Sequence, residues 1–597
     1  MTQFVVFLQE RNCRFCERFQ EFDFIIVGAG PSAIGLLTSL LENRDRDVFP
    51  SIAIVERGPQ TIASSVDRGP SKTQHLSRWF EAAHDRSSSY VQVVQSAINT
   101  QDNKYRRLDI PIGRGIGGGS NINAGLCVAP PPGDFQNWSE PYRTGLPDIL
   151  EHLQERLCAN HCLWNSANGK EITNTRDLDD HAVPCLGKVN PHNSQIGRVN
   201  YYNALLEPIL QESSVRAKNW ATQVHWFCHH EAQRLILLGE RVTGIEVCNT
   251  AAGSYYILSA RNEVIICAGA LETPALLLAS GVGPDDAATS KNSNHRIHGV
   301  GKRLRDHVIL PRVLLGPPPS LHARSINGIH GMTSFEVPGY SDRFLLMTAT
   351  TVPEIALHFF GRIIEPYWRL VSSRLLPCWL NNQGWPVLEG FLKFAVMYTP
   401  VYWFLQYGVT TMNLAYLNPH STGSLRLVPK HSFTADDNTT GRRRDFDLQL
   451  DLKYLRDPKD IQSFWRGWVA SPIVSNNSSW WEVYPGIIFR FLYRRFGSAK
   501  FEKSVPSWFD LFSRDTCLPF YHWCGTCAIK TTNDDDDDSD DWVVDADLKV
   551  RSLRCLRICD ASIFPNNLSV PPALACVSIG YLLGKMLCKD SATKKVI

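Results

Sequence analysis

The first clear pattern along the chain is a short, unbroken apolar run, Phe24-Ile25-Ile26-Val27. Continuous rather than alternating hydrophobicity predicts a strand covered on both faces, as in a parallel sheet. The run leads into Gly28-Ala29-Gly30-Pro31-Ser32-Ala33, and then into an apolar stretch from Ile34 to Leu41 that predicts a helix. Charged residues Arg44 to Asp47 mark a loop, and Ser51-Ile52-Ala53-Ile54-Val55 predicts a second strand ending at Glu56. Further on, Val264 to Ala268 is another buried strand, followed by a helix entered through Thr273-Pro274 and closed by Gly281.

From about Pro317 to Phe512 the pattern changes to mixed periodicity rich in Trp, Tyr and Phe, which predicts a separate lobe. Within it, Gly390 to Met412 is long and apolar with a single charge, Lys393. Its length approaches the roughly 20 residues of a membrane span, but Pro400, Gln406 and several tyrosines interrupt it. A buried or pocket-lining segment is therefore favoured over membrane contact. Trp480 to Gly497 mixes aromatics with Arg490, Arg494 and Arg495, and reads as aromatic core beneath a solvated basic face rather than a lipid-binding surface. The aspartate run Asp534 to Asp541 reads as a solvated acidic loop, not a metal site.

Composition narrows the class. The chain has 597 residues, 44% hydrophobic and 20% charged, enough for a large core and two lobes. Its 61 basic and 59 acidic residues leave a net charge of +2, which excludes an electrostatic case for nucleic acid or a strongly acidic partner. The 17 cysteines are scattered and odd in number, and Cys13 and Cys16 form a CxxC at the N-terminus. They read as small apolar residues in a reducing compartment. The N-terminal apolar run, Phe4 to Leu8, is too short for a signal peptide. An intracellular, cytoplasmic protein is expected, with peripheral membrane association the lesser reading.

The first strand-helix-strand unit carries chemistry. Gly28 permits a tight turn, Gly30 lets backbone amides approach a pyrophosphate, and Ala33 lets the helix pack close to the strand. Glu56, at the tip of the second strand, is placed to accept hydrogen bonds from ribose hydroxyls. A second loop, Gly113-Arg114-Gly115-Ile116-Gly117-Gly118-Gly119-Ser120-Asn121-Ile122-Asn123, brings backbone against something flat and bulky.

These segments resemble the glucose-methanol-choline (GMC) oxidoreductase family. The second glycine loop, with Asp134-Phe135 and Trp138, looks like its first signature, and Gly269 to Gly283 fits its second. Gly299-Val300-Gly301-Lys302, Leu304 and Asp306-His307 match a further landmark. Asn418 to Leu427 resembles the start of a substrate-domain hairpin. Tyr521-His522-Trp523-Cys524-Gly525-Thr526 resembles the His-x-x-Gly-Thr segment, and Leu556 to Ser562 follows as in the family.

The resemblance implies an α/β fold of two lobes, a Rossmann-like FAD-binding domain of discontinuous segments with an antiparallel-sheet and helix substrate domain. Residues 1–21 form an arm, and 22–316 the main FAD-binding part with substrate-domain insertions around 140–215. Residues 317–515 are mainly substrate-binding, and 516–597 return to the FAD domain with the catalytic segment. FAD would be held by Gly28, Gly30, Ala33, Glu56, Arg114, Gly118, Gly119, Ser120, Asn123, Asp560, Ala561 and the backbone near Val224. No metal is implied. His522 inherits the role of base, taking the hydroxyl proton of an alcohol as hydride leaves for flavin N5, with oxygen or another oxidant as the final acceptor. The aromatic lobe suggests an apolar or aromatic alcohol.

One departure stands out. The family's second polar residue, eleven positions after the aspartate equated with Asp560, falls on Pro571. Proline has no side-chain hydrogen bond to give. Either a gap brings Asn566 or Asn567 into place, or His522 works alone, or the reaction is altered toward a lyase, isomerase or decarboxylase. A catalytically silent flavoprotein is the remaining alternative.

Overall fold

The computed structural model describes residues 20–43, 49–60, 79–99 except 86, 105–177, 182–189, 196–211, 219–284 except 221, 295–315, 328–350, 409–430, 442–471, 481–484, 505–531 and 541–593, with isolated positions at 387–398 and 486. Cys13 and Cys16, most of Gly390 to Met412, most of Trp480 to Gly497 and nearly all of the aspartate run lie outside the described residues. No described helix is long and apolar enough to cross a membrane, and no described group of His, Cys, Asp and Glu could hold a metal ion.

The first strand, β1 (Gln20–Val27), lies between β2 (Ile52–Glu56) and β6 (Tyr255–Ile266), parallel to both. The sheet extends beyond β2 through the parallel β3 (Val224–Cys228). Beyond β6 it extends through the antiparallel β5 (Arg241–Asn249) and β4 (His230–Leu238). A short C-terminal strand, β13 (Leu556–Ile558), adds in parallel to the end of β6. Ile25, Ile26 and Val27 point alternately to the two faces and all are buried, so both faces are covered and the run reads as continuous hydrophobicity.

Helix α1 (Pro31–Asn43) leaves β1, and α3 (Gly269–Ala279) leaves β6. The sequence placed the start of α3 at Thr273-Pro274, and the structure starts it a turn earlier. Pro274 sits inside the helix, where it has no N–H to give the Ala270 carbonyl. The Thr526 hydroxyl takes that place, donating to the Ala270 oxygen at 2.6 Å. A proline that would end a helix is thus accommodated by a side chain from the C-terminal segment.

The C-terminal helix α6 (Ala573–Thr593) packs on α1 and on α2 (Tyr142–Ala159). Its contact with α1 is a backbone-to-backbone approach. A Cβ on Gly35 would stand 2.0 Å from the Val577 carbonyl oxygen, and one on Gly580 would stand 1.9 Å from that of Ser32.

A second, antiparallel sheet runs in the order β8 (Ile329–Glu336), β9 (Arg343–Thr350), β10 (Val409–Tyr416), β7 (Val308–Leu315), β11 (Trp481–Tyr484), with β12 (Leu518–Pro519) also on β7. Its central strand begins at Val308, so the second lobe draws on residues before 317. The hairpin of Ser424–Pro429 and Phe446–Asp451, read as the start of the substrate domain, instead joins the strands Val91–Asn99 and Tyr105–Gly113, through Asp451 opposite Ala97. Helices α4 (Pro458–Ala470) and α5 (Ser507–Thr516) cover the antiparallel sheet with an aromatic cluster of Phe344, Tyr416, Phe464, Trp468, Phe509 and Phe512.

The substitution Gly580→Ala forces a methyl into the α1–α6 crossing. It is expected to cost about 1–3 kcal/mol, read as a lower denaturation midpoint. Gly133→Ala, at a position with nothing within 4 Å, should leave the midpoint unchanged.

Candidate active site

A cavity of about 420 Å³ opens between the C-terminal ends of the parallel strands and the antiparallel sheet. Its wall includes Gly28, Gly30, Glu56, Gly118, Gly119, Ser120, Asn123, His522, Asp560 and Ala561, which lie far apart in the chain.

The parallel strands build one end. Gly28 has φ +98°, and a Cβ there would lie 2.4 Å from the Cys267 carbonyl oxygen. The tight turn is thus also a contact between the ends of β1 and β6. Glu56 is buried, and its carboxylate accepts N–H groups from Ala29 at 3.0 Å, Gly58 at 2.8 Å and Gly115 at 2.9 Å. It therefore ties the first glycine turn to the second glycine loop. The Gly117 N–H adds a bond to the Ala29 carbonyl at 2.8 Å. At Gly118, with φ +52°, a Cβ would stand 2.8 Å from the Gly30 Cα.

Asn123 is held from behind. Its backbone oxygen accepts from Arg198 Nη1 at 2.6 Å, and its Oδ1 accepts the Gly125 N–H at 3.0 Å. Burial lowers the Arg198 pKa to about 9. Ser120 Oγ donates to the Gly117 carbonyl at 2.6 Å. Asp560 joins α3 to the end of β13. Its Oδ2 accepts from Gly269 N at 2.9 Å and from the Thr273 hydroxyl at 2.5 Å, and its Oδ1 from Ser562 N at 2.8 Å.

Three sequence-derived positions stand off the cavity wall. Val224 pairs with Ile52, whereas Glu56 pairs with Cys228. Because β3 runs parallel to β2, Val224 lies at the strand end remote from the crevice, which corrects its expected place beside the cofactor. His230, Glu231 and Ala232 of β4 form that wall instead. Ala33 is fully buried where α1 packs. Arg114 is not in the wall, and its Nη2 donates to Gln92 Oε1 at 2.8 Å.

Sequence reasoning also passed over a buried ion cluster at this end. Glu272 meets Arg57 at 3.0 Å and Arg443 at 3.0 Å. Burial opposes its ionisation, yet Arg443 and Arg57 overcome it and hold the carboxyl at about 2.

At the other end, the register of two strands places His522. Phe520 N donates to the His307 carbonyl, and Arg305 and Cys524 exchange both backbone bonds. Three residues on one side, Tyr521, His522 and Trp523, thus face one on the other, Asp306. The extra residues bulge outward, and Tyr521 takes a left-handed φ of +63°. Asp306 braces the bulge, accepting His522 N at 2.8 Å and Phe520 N at 3.2 Å, with the Tyr454 hydroxyl at 2.6 Å. Burial lifts the Asp306 carboxyl to about 7 against these bonds. The His522 ring lines the cavity, and its Nδ1 lies 2.9 Å from Nδ1 of His307. Burial, then the neighbouring His307, hold the His522 pKa below its ordinary 6.5.

Pro571 and Pro572 line the cavity too. Asn566 is occupied with Trp138 Nε1 at 3.1 Å, and Asn567 with Cys524 Sγ and the Asp306 carbonyl. Neither asparagine lines the cavity, so the structure does not bring them to the position that Pro571 takes.

The description GMC oxidoreductase fits the chain twice, with an N-terminal model over residues 22–183 and 215–309 and a C-terminal model over 419–580. The chain belongs to the GMC oxidoreductase family. FAD is its cofactor. The oxidoreductase cicC of Emericella nidulans is 26% identical over 95% of this chain and 94% of its own. Choline oxidase of Arthrobacter globiformis is 26% identical over 48% of this chain, which spans 55% of that enzyme. In structure, pyridoxine 4-oxidase from Mesorbium loti matches with a TM-score of 0.63 at 18% identity, over 94% of this chain and 98% of its own.

The residues present suit this cofactor. A Cβ on Gly30 would have its nearest neighbour at 4.0 Å, and Gly119 and Gly269 have nothing within 4 Å, so backbone is bared toward the cavity. The first turn of α1 holds no acidic side chain, leaving its N-terminal amides and positive dipole end to a pyrophosphate.

Glu56→Ala would strand three buried N–H groups. A loss of about 3 kcal/mol or more is expected, seen as a lower melting temperature and as FAD lost from the purified protein, measured by flavin absorbance per protein.

Proposed function

We propose that this GMC oxidoreductase oxidises the CH–OH group of a neutral, predominantly apolar alcohol, with His522 as the base. The observation that carries this reading is an imidazole at the end of an apolar cavity with one nitrogen left open to it. Nδ1 of His522 is engaged by His307, while Nε2 has no hydrogen-bond partner among the described residues. A base needs an uncommitted lone pair within reach of the hydroxyl proton.

The wall beyond His522 supports the substrate class. Leu126, Ile309, Ile329, Met347, Leu518 and Phe520 supply it, and the described wall residues of the antiparallel sheet and the 518–523 segment include no Asp, Glu, Lys or Arg. A cationic alcohol such as choline would lack a counter-charge there. Thr411 and Asn413, on one face of β10, are the polar side chains the sheet contributes, and Tyr521 and Trp523 add a hydroxyl and an indole N–H. Relatives named for their substrates, aryl-alcohol oxidase and pyridoxine 4-oxidase among them, are consistent with a neutral alcohol.

Bound FAD supplies the two-electron acceptor for the carbinol hydride. The glycine loops and the α1 N-terminus would hold it, with His230, Glu231 and Ala232 walling the end that receives the adenine. The chain's own part is to desolvate the alcohol and take its proton at His522 Nε2. Burial helps, because a lowered pKa keeps the imidazole neutral at physiological pH. The second reading, altered chemistry without net oxidation, rests on Pro571 in the wall, where no polar side chain assists His522.

Anaerobic addition of a panel of benzylic and long-chain primary alcohols to the yellow holoprotein separates the two. Bleaching is expected, slowed at least about a hundredfold in His522→Ala with FAD retained. The bleaching rate should be flat at neutral and alkaline pH. It should fall only as pH drops through the His522 pKa, on the acid side of 6.5. A holoprotein that no alcohol bleaches, yet that converts an alcohol to another product, would favour the second reading.

A further inference from the structure

His307 is 2% exposed and does not line the cavity, so it touches no substrate. It is nevertheless the partner of the residue that does. Its Nε2 lies 2.8 Å from the Leu568 carbonyl oxygen, and its Nδ1 lies 2.9 Å from Nδ1 of His522. The two rings meet nearly edge to face, with centroids 5.0 Å apart and planes at 84°.

A carbonyl oxygen can only accept, so the 2.8 Å contact requires a proton on His307 Nε2. A neutral His307 then has a bare Nδ1, which must accept. The proton between the two rings therefore belongs to His522 Nδ1. His522, neutral and protonated at Nδ1, has its lone pair at Nε2. The alternative is a cationic His307 donating from both nitrogens, which would put the lone pair of His522 on the wrong side and disable the base.

The surroundings disfavour that cation. Of the titratable groups packed around it, Asp306 directs its carboxylate to His522 N, Phe520 N and the Tyr454 hydroxyl. Cys524 bonds Asn567, and Arg305 is itself a cation. Burial accordingly depresses the His307 pKa to about 4, with the Leu568 carbonyl only partly opposing.

We propose that His307 is a positioning residue that fixes the tautomer of His522, so that Nε2 accepts the substrate's hydroxyl proton. The chain of contacts reads Leu568 carbonyl, His307, His522, substrate. The inference rests on His522 being the base, and it deepens that reading by saying what makes it one. In the step itself the O–H bond of the alcohol breaks and an N–H bond forms at Nε2, giving an imidazolium with both nitrogens protonated. His307 keeps its own proton throughout and stabilises the cation as acceptor of the Nδ1 hydrogen bond. The device also answers Pro571, because the polar support absent across the cavity is supplied from behind the ring.

Two measurements test it. In ¹⁵N-histidine-labelled holoprotein at neutral pH, NMR is expected to show His522 protonated at Nδ1 and bare at Nε2, and His307 the reverse. Assignment comes from the His522→Gln and His307→Gln spectra. A His522 protonated at Nε2, or an imidazolium on either residue, would overturn the proposal whether or not any alcohol is a substrate. The second measurement is anaerobic flavin reduction by benzyl alcohol, or by the best alcohol of the panel.

His307→Leu should lower the limiting rate by about a hundredfold or more, and the apparent alcohol affinity by less than about twofold. His307→Gln, which keeps an acceptor for His522 and a donor for Leu568, should recover to within about tenfold of wild type. Equal rates for wild type and His307→Leu, both holding FAD, would refute the proposal. Equal loss in Leu and Gln variants would mean that His307 serves only packing. If no alcohol reduces the wild-type flavin while the tautomers are as expected, the proposed reaction fails and the imidazole pair stands.

Discussion

The site depends on a close approach at the centre of the parallel sheet, where the turn after β1 meets the end of β6. Gly28 lies so near the Cys267 carbonyl that no side chain fits between them. With the two strand ends in contact, α1 and α3 start side by side and the chain diverges toward β2 on one side and away from β6 on the other. In open parallel sheets the ligand crevice lies at such a divergence, outside the carboxyl ends of the strands. Everything that lines the cavity from the FAD side is then a matter of reaching this point.

Buried carboxylates do the reaching, and they do it by collecting backbone N–H groups. Glu56 gathers Ala29, Gly58 and Gly115; Asp560 gathers Gly269 and Ser562; Asp306 gathers Phe520 and His522. Asp134 does the same at Ser569, and Asp460 at His420 and Ser421. An ionised carboxylate accepts several bonds at once and cannot donate, so each is a hub for loops that have no ladder of their own. The cost is desolvation, visible in the raised pKa values of Asp134, Asp306, Asp460 and Asp560. Geometry is gained at the expense of charge, which suits loops that must not move relative to one another.

Local features were legible where the physics is local. The run from Phe24 to Val27, the Gly28-Gly30 turn and Glu56 at a strand tip belong to one contiguous unit, so period and turn chemistry were enough. The bulge at His522 was visible only as part of a motif, because it arises from register between segments more than 200 residues apart. Val224 was misplaced for a related reason. Strands β3 and β4 are consecutive and both short of turn glycines, and nothing local says which end of which strand meets the crevice. Pro274 misled in the opposite sense. It marks a helix start in isolation, but a hydroxyl 252 positions later, on Thr526, satisfies the carbonyl it leaves open. The roles of His307 and Arg198 were illegible for the same reason, since each acts on a residue brought near only by folding.

Pro571 draws these strands together. In the proposed reaction, a second polar side chain across the cavity would share the hydroxyl with His522 and help hold the alkoxide. With proline there, position 571 offers no donor, and His522 itself can donate to the alkoxide once Nε2 has taken the proton. Base and stabiliser are then the same group at successive moments, and both roles require the ring to stay in one orientation. That requirement falls on what grips His522 from outside the cavity. Asp306 holds its backbone amide and His307 holds its Nδ1, two adjacent residues on the strand edge that faces the bulge. On the proposed reading, the Asp306-His307 pair is where the absence of a polar side chain at 571 is offset.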